Sequence, residues 1–182
     1  KTKKIDIIIS SMTITDERKK TIDFSNGYAK SSLAILANNK SNISSINDLN
    51  QKGKTVAVKK GSTGHIYAGD NLKNANILVF DKESACVLEV IQGKADGFIY
   101  DQLTIYKNWA QNKDTTTPIL ASFQEDFEHW GVALRQDDSK LKNSINEFIE
   151  QSKTNGTFDN LSYKYLKEAR ETFDKLNIPF FF

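Results

Sequence analysis

Residues 5–18 read IDIIISSMTITDER, a run of branched apolar residues followed at once by a polar segment. The first five residues, Ile5–Ile9, have the composition of a buried β-strand. The residues Thr15–Glu17 then have the pattern of a helix N-terminus, with Thr15 as the cap and Arg18 at the third helical position. A guanidinium beside hydroxyls and backbone N–H groups can receive a small carboxylate. We therefore place the candidate function of the chain in this segment.

Two hydroxyl side chains precede the arginine. Ser11 and Thr13 are two positions apart, so an extended backbone directs both side chains to the same side. They would then add hydroxyl groups to a carboxylate site at Arg18. A plainer interpretation is a surface arginine that pairs with Asp16 or Glu17. From these residues alone, both interpretations stay open.

Strands and helices alternate along the rest of the chain. The hydrophobic pattern predicts further strands at 28–37, 55–58, 77–80, 95–100 and 118–123. It predicts helices at 65–72, from 81 or 82 up to the glycine at 93, at 103–111, from 139 up to the glycine at 156, at 157–165 and in the tail after 168. This alternation indicates an α/β fold with a largely parallel sheet.

Three positions in candidate binding segments each follow the carboxyl end of a predicted strand. They are Ser11, Gly61 and Asp101. In open α/β sheets, ligands bind beyond the carboxyl ends of the strands. This coincidence predicts that the three positions belong to a binding site.

The turn Gly61–Gly64, with the sequence GSTG, joins a predicted strand to a predicted helix. It lacks the terminal Lys-Ser/Thr of a phosphate-binding P-loop and the third glycine of a dinucleotide fingerprint. Its hydroxyls and N–H groups fit a carboxylate or an amide, but Ser62 or Thr63 also fits a plain helix cap. Asp101 has the same two interpretations, as a helix cap or as the anion that receives an ammonium.

The composition excludes several classes of function. The 25 lysines and arginines alternate with 23 acidic residues, so the chain lacks the basic stripe of a nucleic-acid-binding protein. Cys86 is the only cysteine and the two histidines are distant, so the sequence offers neither a disulfide nor a metal centre. No histidine stands in a pattern with a Ser or Cys nucleophile. We therefore assign no catalytic residue and no cofactor.

Several segments, in order, resemble a family of bacterial transport proteins. They are 11–28 (SMTITDERKKTIDFSNGY), 53–62 (GKTVAVKKGS), 93–96 (GKAD), 100–101 (YD) and 130–134 (WGVAL). On these segments the chain resembles the polar amino-acid-binding proteins of ABC importers, the family 3 solute-binding proteins, and most of all their glutamine-binding members. The resemblance implies the type 2 periplasmic-binding-protein fold, in which two α/β lobes are joined by a two-strand hinge.

The resemblance also implies a division of the chain. Residues 1–32 would form part of lobe 1, residues 33–123 would form lobe 2, and residues 124–182 would form the return hinge and the C-terminal helices of lobe 1. Family members carry two further strand–helix units before the position of Lys1, so we expect lobe 1 to be truncated. We therefore expect a dimer, or an exchange of strands, through the incomplete lobe 1.

The resemblance assigns the recognition of the ligand backbone to residues of both lobes. Arg18, Thr13 and the backbone near Ser11 would hold the carboxylate of an amino acid from lobe 1. Asp101 would hold its ammonium from lobe 2.

The ligand side chain would lie against residues of lobe 2. They are Lys59, Gly61, Ser62, Thr63 and Tyr100. Tyr100 stands where the glutamine receptors have histidine, and Thr63 stands where they have glycine. Glutamine and glutamate are therefore the favoured ligands, and other polar amino acids stay open.

The resemblance implies a partner and a location. The partner would be the membrane permease of an ABC importer, and the location would be the periplasm, or the cell surface as a lipoprotein whose signal segment is not in this sequence. One alternative is the ligand-sensing domain of a larger receptor. Another is a dehydratase-type enzyme on the same fold, but beyond Asp101 the matched positions offer no general acid or base. We therefore predict a binding protein and not an enzyme.

Overall fold

The structure, a computed structural model, describes residues 4–182. In chain order its elements are β1 (Ile7–Ile8), α1 (Asp16–Lys19), β2 (Asp23–Ser31), β3 (Leu33–Asn38), α2 (Ile46–Leu49), β4 (Thr55–Lys59), α3 (Thr63–Asn71), β5 (Asn76–Phe80), α4 (Glu83–Ile91), β6 (Gly97–Asp101), α5 (Gln102–Gln111), β7 (Thr116–Ile119), β8 (Glu128–Leu134), α6 (Ser139–Thr154), α7 (Thr157–Tyr165) and α8 (Lys167–Lys175). Residues 1–3 of the predicted partial lobe lie outside the described residues.

Contacts within the chain divide it into two compact units, which we describe separately. The terminal unit comprises Lys1–Ser31 and Phe127–Phe182, and the central unit comprises Ser32–Asp126. The chain leaves the terminal unit after residue 31 and returns to it at residue 127. The predicted lobe boundaries, with lobe 2 at residues 33–123, stay a prediction.

The central unit is built on a five-stranded sheet in the order β5-β4-β6-β3-β7. β4 pairs in parallel with β5 and β6, whereas β3 pairs antiparallel with β6 and β7. Four strands therefore run in one direction and β3 runs against them. The prediction of a largely parallel sheet is therefore confirmed, with β3 as the exception. An apolar strand pattern carries no information about direction, so the sequence did not distinguish β3.

Apolar residues on β3 form the centre of this unit. All six residues of Leu33–Asn38 are buried, as expected of a continuous apolar strand that is covered on both faces. One cluster joins Leu33 and Ile35 to Val56 of β4 and Ile99 of β6. The helices α4 and α5 also contact β3. The core therefore fixes β4 and β6 relative to β3.

Two strand ends meet at one edge of the central sheet. β4 ends at Lys59 and β6 ends at Asp101, and their parallel pairing brings their carboxyl ends to the same edge. Gly61 then turns the chain with a φ of +71°, a conformation that favours glycine. The helices α3 and α5 begin at this edge. It is the edge where ligands bind in open α/β sheets.

The terminal unit is built on a three-stranded antiparallel sheet in the order β1-β8-β2. Helix α6 packs against β2. The C-terminal tail also lies along β2, where the Lys30 N–H donates to the Phe181 carbonyl over 2.8 Å. The Phe181 ring is buried and stacks on Trp130 of β8, with centroids 5.5 Å apart. The tail therefore stabilises the strand that leads out of this unit.

The buried strand predicted at Ile5–Ile9 is wrong in its length and its burial. β1 comprises only Ile7 and Ile8, and it lies at an edge of the sheet, paired with β8. Ile5 and Ile9 are 59% and 64% exposed. Branched apolar residues predict an extended backbone, but they do not state how many neighbouring strands cover it.

Two other predicted strands have different bounds in the structure. The predicted run 28–37 is the end of β2 followed by β3, with a break at residue 32. The predicted strand 118–123 is β7 at Thr116–Ile119, because Thr116 and Thr117 pair with the end of β3. Threonine has a high β-propensity, so the correct start was readable from the sequence.

Candidate functional site

Two side chains meet at the carboxyl edge of the central unit. The Lys59 Nζ donates to the Tyr100 hydroxyl over 3.4 Å and lies 5.7 Å from the centre of the Tyr100 ring. Burial raises the pKa of Tyr100 above its ordinary value of 10.0, and the Lys59 ammonium opposes part of that rise. Tyr100 therefore stays a neutral hydroxyl at neutral pH, beside a cation.

The turn before α3 uses the Ser62 side chain internally. The Ser62 oxygen accepts from the His65 N–H over 3.1 Å, which confirms the helix-cap interpretation. The Ser62 hydroxyl donates to the Lys59 carbonyl over 2.8 Å. Because its single hydrogen is used in this bond, Ser62 offers a ligand an acceptor and not a donor. Thr63 is the first residue of α3 and carries the other hydroxyl of the turn.

Asp101 is also a helix cap. Its Oδ1 accepts from the Thr104 N–H over 3.0 Å at the start of α5. The negative charge of Asp101 is among the causes that raise the pKa of Tyr100, after burial. A carboxylate has about four acceptor sites, so a capping bond is compatible with a second donor such as an ammonium. The cap and the predicted anion are therefore compatible roles for one side chain.

In the terminal unit, Thr13 lies beside β8. It stands opposite Trp130 in an isolated antiparallel bridge, and the residues on both sides of it bond to β8. The N–H and C=O of Thr13 therefore point away from β8, to the same side. On that side, the Arg18 Nη1 donates to the Thr13 carbonyl over 2.7 Å. The guanidinium and the Thr13 N–H thus face the same region and can serve one carboxylate.

Arg18 is presented by a short helix, as predicted. The Thr15 Oγ1 accepts from the Arg18 N–H over 3.2 Å, and α1 begins at Asp16, which makes Arg18 the third helical residue. The carboxylates of Asp16 and Glu17 pair with the two lysines that follow Arg18. The cap pattern in the sequence was therefore sufficient to predict the position of Arg18.

The Thr13 side chain bonds to a residue far away in the sequence. Its Oγ1 donates to Glu128 Oε2 over 2.7 Å, and Thr13 is 8% exposed. The hydroxyl hydrogen is used in this bond, so Thr13 can give a carboxylate only its backbone N–H. The expected role of the Thr13 hydroxyl as a carboxylate donor is corrected accordingly.

Ser11 does not have the extended backbone that the sequence suggested. Its φ is +53°, and its N–H donates to the Tyr28 hydroxyl over 3.2 Å. Burial raises the pKa of that hydroxyl above its ordinary value. The two-residue spacing of Ser11 and Thr13 therefore does not place their side chains on one side. The role of the backbone near Ser11 in holding the ligand carboxylate stays a prediction.

The structure groups the predicted residues by unit. Ser11, Thr13 and Arg18 lie in one segment of the terminal unit, and the others lie at the carboxyl edge of the central unit: Lys59, Gly61, Ser62, Thr63, Tyr100 and Asp101. Sequence reasoning missed Glu128 and Tyr28. Both bond to residues that are distant in the sequence, by 115 positions for Glu128 and by 17 for Tyr28, so no short motif signals them.

Residues 4–182 show neither a candidate metal site nor a helix suited to span a membrane. This part of the chain contains no group of three or more His, Cys, Asp or Glu side chains that could hold a metal ion. Within the same residues, no helix combines the length and the apolar character needed to cross a membrane.

Comparison with known proteins gives a family and several relatives. The bacterial extracellular solute-binding proteins, family 3, match residues 1–168. The chain is 30% identical over 164 residues to the ABC transporter glutamine-binding protein GlnH of Bacillus subtilis (strain 168), covering 90% of this chain and 59% of GlnH. It is 30% identical over 174 residues to the L-arginine-binding protein of Pseudomonas aeruginosa, covering 91% of this chain and 66% of that protein. The chain thus spans 59% and 66% of the lengths of these relatives.

A solved structure gives the fold. The chain superposes on the ancestral amino acid-binding protein AncCDT-1, a precursor of cyclohexadienyl dehydratase, with a TM-score of 0.79 and 34% identity. The match covers 90% of this chain and 70% of that one. The predicted fold class, that of the type 2 periplasmic binding proteins, is confirmed.

Proposed function

The chain belongs to the bacterial extracellular solute-binding proteins, family 3, and on this premise we propose that it binds a polar L-amino acid outside the cytoplasm. Its partner would be the membrane permease of an ABC importer, which receives the amino acid. The protein would act in the periplasm, or at the cell surface as a lipoprotein. One observation carries the proposal: each unit offers one of the two charges that a zwitterion requires, a guanidinium at Arg18 and a carboxylate at Asp101.

The backbone of an amino acid matches these groups. Its carboxylate would accept from the Arg18 guanidinium and the Thr13 N–H. Its ammonium would donate to the Asp101 carboxylate. A hydrogen bond to a charged group contributes about 1.5–3 kcal/mol.

The side chain of the ligand would lie against Lys59 and Tyr100. A cation and a neutral hydroxyl suit an amide or a carboxylate oxygen, and the charge of Lys59 opposes a cationic side chain. We therefore favour glutamine or glutamate. The two relatives are named for glutamine and for arginine, so similarity alone does not choose the ligand and other polar amino acids stay open.

We propose a binding protein and not an enzyme. A general acid or base must lie within hydrogen-bond reach of the reacting bond. Asp101, the candidate anion, caps α5 and is assigned to the ligand ammonium. The fold is shared with a precursor of cyclohexadienyl dehydratase. The alternative function to test is therefore that of a dehydratase-type enzyme. Turnover of a cyclohexadienyl substrate by the gene product would contradict the proposal.

We also keep the prediction of a second chain at the edge of the terminal unit. β1 lies at the sheet edge, beside a groove of about 460 Å³ with an apolar lining. Ile9, Phe148 and Leu161 in this lining are 64%, 62% and 45% exposed. An open strand edge accepts another strand, and an apolar groove favours burial. Sedimentation should show a dimer that Ile7→Lys dissociates, and a monomer at every concentration would contradict this part.

A thermal-shift screen of the twenty L-amino acids on the full gene product tests the proposal. Binding to the folded state raises the melting temperature, because the bound ligand stabilises only that state. We expect one or a few polar amino acids, with L-glutamine or L-glutamate among them, to give the largest shift. If none of the twenty shifts the melting temperature, the proposed function is wrong.

A further inference from the structure

We infer that Glu128 is a positioning residue for the ligand ammonium and acts through Thr13. By accepting the hydroxyl hydrogen of Thr13, Glu128 leaves the Thr13 oxygen as a hydrogen-bond acceptor. Thr13 would then give its backbone N–H to the ligand carboxylate and its side-chain oxygen to the ligand ammonium. This inference rests on the proposed function, because it requires an amino acid bound at Arg18.

The geometry comes from the sheet of the terminal unit. Thr13 stands opposite Trp130, and Glu128 lies two residues earlier on β8. Side chains two residues apart on a strand share a face, so Glu128 and Trp130 lie on the same face as their cross-strand neighbour Thr13. Glu128 is therefore the diagonal neighbour of Thr13, and the 2.7 Å distance between Thr13 Oγ1 and Glu128 Oε2 is that of a strong hydrogen bond.

The direction of this bond follows from the chemistry of the two groups. An ionised carboxylate has acceptors only, whereas a hydroxyl has one hydrogen and two lone pairs. Thr13 must therefore be the donor to Glu128. Its remaining acceptor capacity suits an ammonium, which has three donors and no acceptor.

The consequence for recognition is a fixed orientation of the ligand. The Arg18 guanidinium and the Thr13 N–H lie on one side of the segment, and the guanidinium already bonds the Thr13 carbonyl. Without Glu128, the Thr13 hydroxyl can rotate and donate to the ligand carboxylate. The site would then hold the carboxylate but lose part of its preference for an adjacent ammonium.

A double-mutant cycle tests the coupling. The full gene product, Thr13→Val, Glu128→Gln and the double variant would be titrated calorimetrically with L-glutamine, or with whichever of the twenty L-amino acids gives the largest thermal shift. Each single variant should weaken binding by about 10-fold or more, the loss expected for one hydrogen bond to a charged group. The double variant should bind no more weakly than Thr13→Val alone, because Glu128 acts through Thr13.

The control is Glu147→Gln, the same substitution at an exposed carboxylate on α6, which should bind as the unaltered protein does. If the two single effects multiply in the double variant, or if Glu128→Gln binds as the unaltered protein does, the inference is wrong. If the unaltered protein binds none of the twenty amino acids, the proposed function itself has failed.

A second measurement separates positioning from a general loss of structure. The ligand 4-carbamoylbutanoate is L-glutamine without its ammonium. Glu128→Gln should weaken binding of L-glutamine but leave binding of this analogue within about threefold, since only the ammonium contact is lost. An equal loss for both ligands would show a structural role and overturn the inference. Should Glu128→Gln fail to fold, Thr13→Val gives the same comparison, because it removes the acceptor itself.

Discussion

Gly64 of α3 lies so close to Ile99 of β6 that a β-carbon at position 64 would come within 2.5 Å of the Ile99 carbonyl oxygen. This contact holds the start of α3 against the end of β6. It therefore fixes the turn at Gly61–Thr63 relative to Tyr100 and Asp101, the two residues that follow Ile99. The candidate side-chain site of the central unit depends on this close approach.

Gly64→Ala should destabilise the central unit by about 1–3 kcal/mol, the usual cost of overpacking, because the Ile99 backbone cannot move away as a flexible side chain could. Gly69→Ala in the same helix is the matched control, since nothing lies within 4 Å of its added β-carbon. That control should gain up to about 1 kcal/mol from the better helix propensity of alanine. Urea unfolding measures both, and equal effects of the two substitutions would contradict the contact.

The two roles of Asp101 can be separated by two substitutions. Asp101→Asn keeps a good N-cap for α5 but removes the charge, so it should retain stability and lose at least about 10-fold in amino-acid affinity. Asp101→Ala should lose the affinity and also about 1 kcal/mol of stability. Calorimetry and thermal unfolding of both variants make the comparison. Undiminished binding by Asp101→Asn would exclude the charge from recognition.

The charge of Lys59 should set the preference between acidic and neutral ligands. Lys59→Met should weaken binding of L-glutamate by about 10-fold or more and weaken binding of L-glutamine less. The reason is that the side-chain carboxylate of L-glutamate pairs with the Lys59 ammonium, whereas the side-chain amide of L-glutamine carries no charge. Lys60→Met, at the exposed neighbouring position, should change neither affinity. Competition titrations measure the ratio. If the ratio of the affinities for L-glutamate and L-glutamine is unchanged in Lys59→Met, Lys59 does not contact the ligand side chain.

The buried thiol of Cys86 should make the stability of the central unit depend on pH in an alkaline window. Burial raises the pKa of Cys86 from its ordinary value of 9.0 to about 11. Because the folded pKa is the higher one, the thiol's contribution to stability is complete below pH 9 and is lost as the pH rises toward 11. The stability advantage of the unaltered protein over Cys86→Ala should therefore shrink between pH 8 and pH 11. Urea unfolding at several pH values would show a constant advantage if the thiol were not buried.

The sequence predicted those parts of the candidate site that depend on local chemistry. The Thr15 cap and the position of Arg18 follow from consecutive residues, and the structure has both. The caps at Ser62 and Asp101 were named as alternatives to binding, and the structure confirms the caps. Strand–helix alternation was enough to predict an α/β fold, and the family resemblance was needed to predict the type 2 periplasmic-binding-protein fold.

Contacts between residues that are distant in the sequence could not be predicted from local patterns. Thr13 and Glu128 are 115 positions apart and meet only because the segment at Thr13 lies beside β8. A serine does not indicate a positive φ, so the sequence carried no sign of the backbone conformation at Ser11. Because that conformation is not extended, the two-residue spacing of Ser11 and Thr13 did not predict the directions of their side chains. The run Ile5–Ile9 predicted an extended strand, but its exposure depends on the neighbouring strands and not on its own residues.

The central claim is that one amino acid is held by its carboxylate at Arg18. The most direct test is a calorimetric titration of the full gene product and of Arg18→Ala with the amino acid found in the screen, with Lys19→Ala as the control on the same helix. Loss of a buried charge pair costs about 2–5 kcal/mol, so Arg18→Ala should bind at least about 30-fold more weakly. Lys19→Ala should bind as the unaltered protein does, since Lys19 is exposed and pairs with Asp16. Equal affinities for Arg18→Ala, Lys19→Ala and the unaltered protein would contradict the claim.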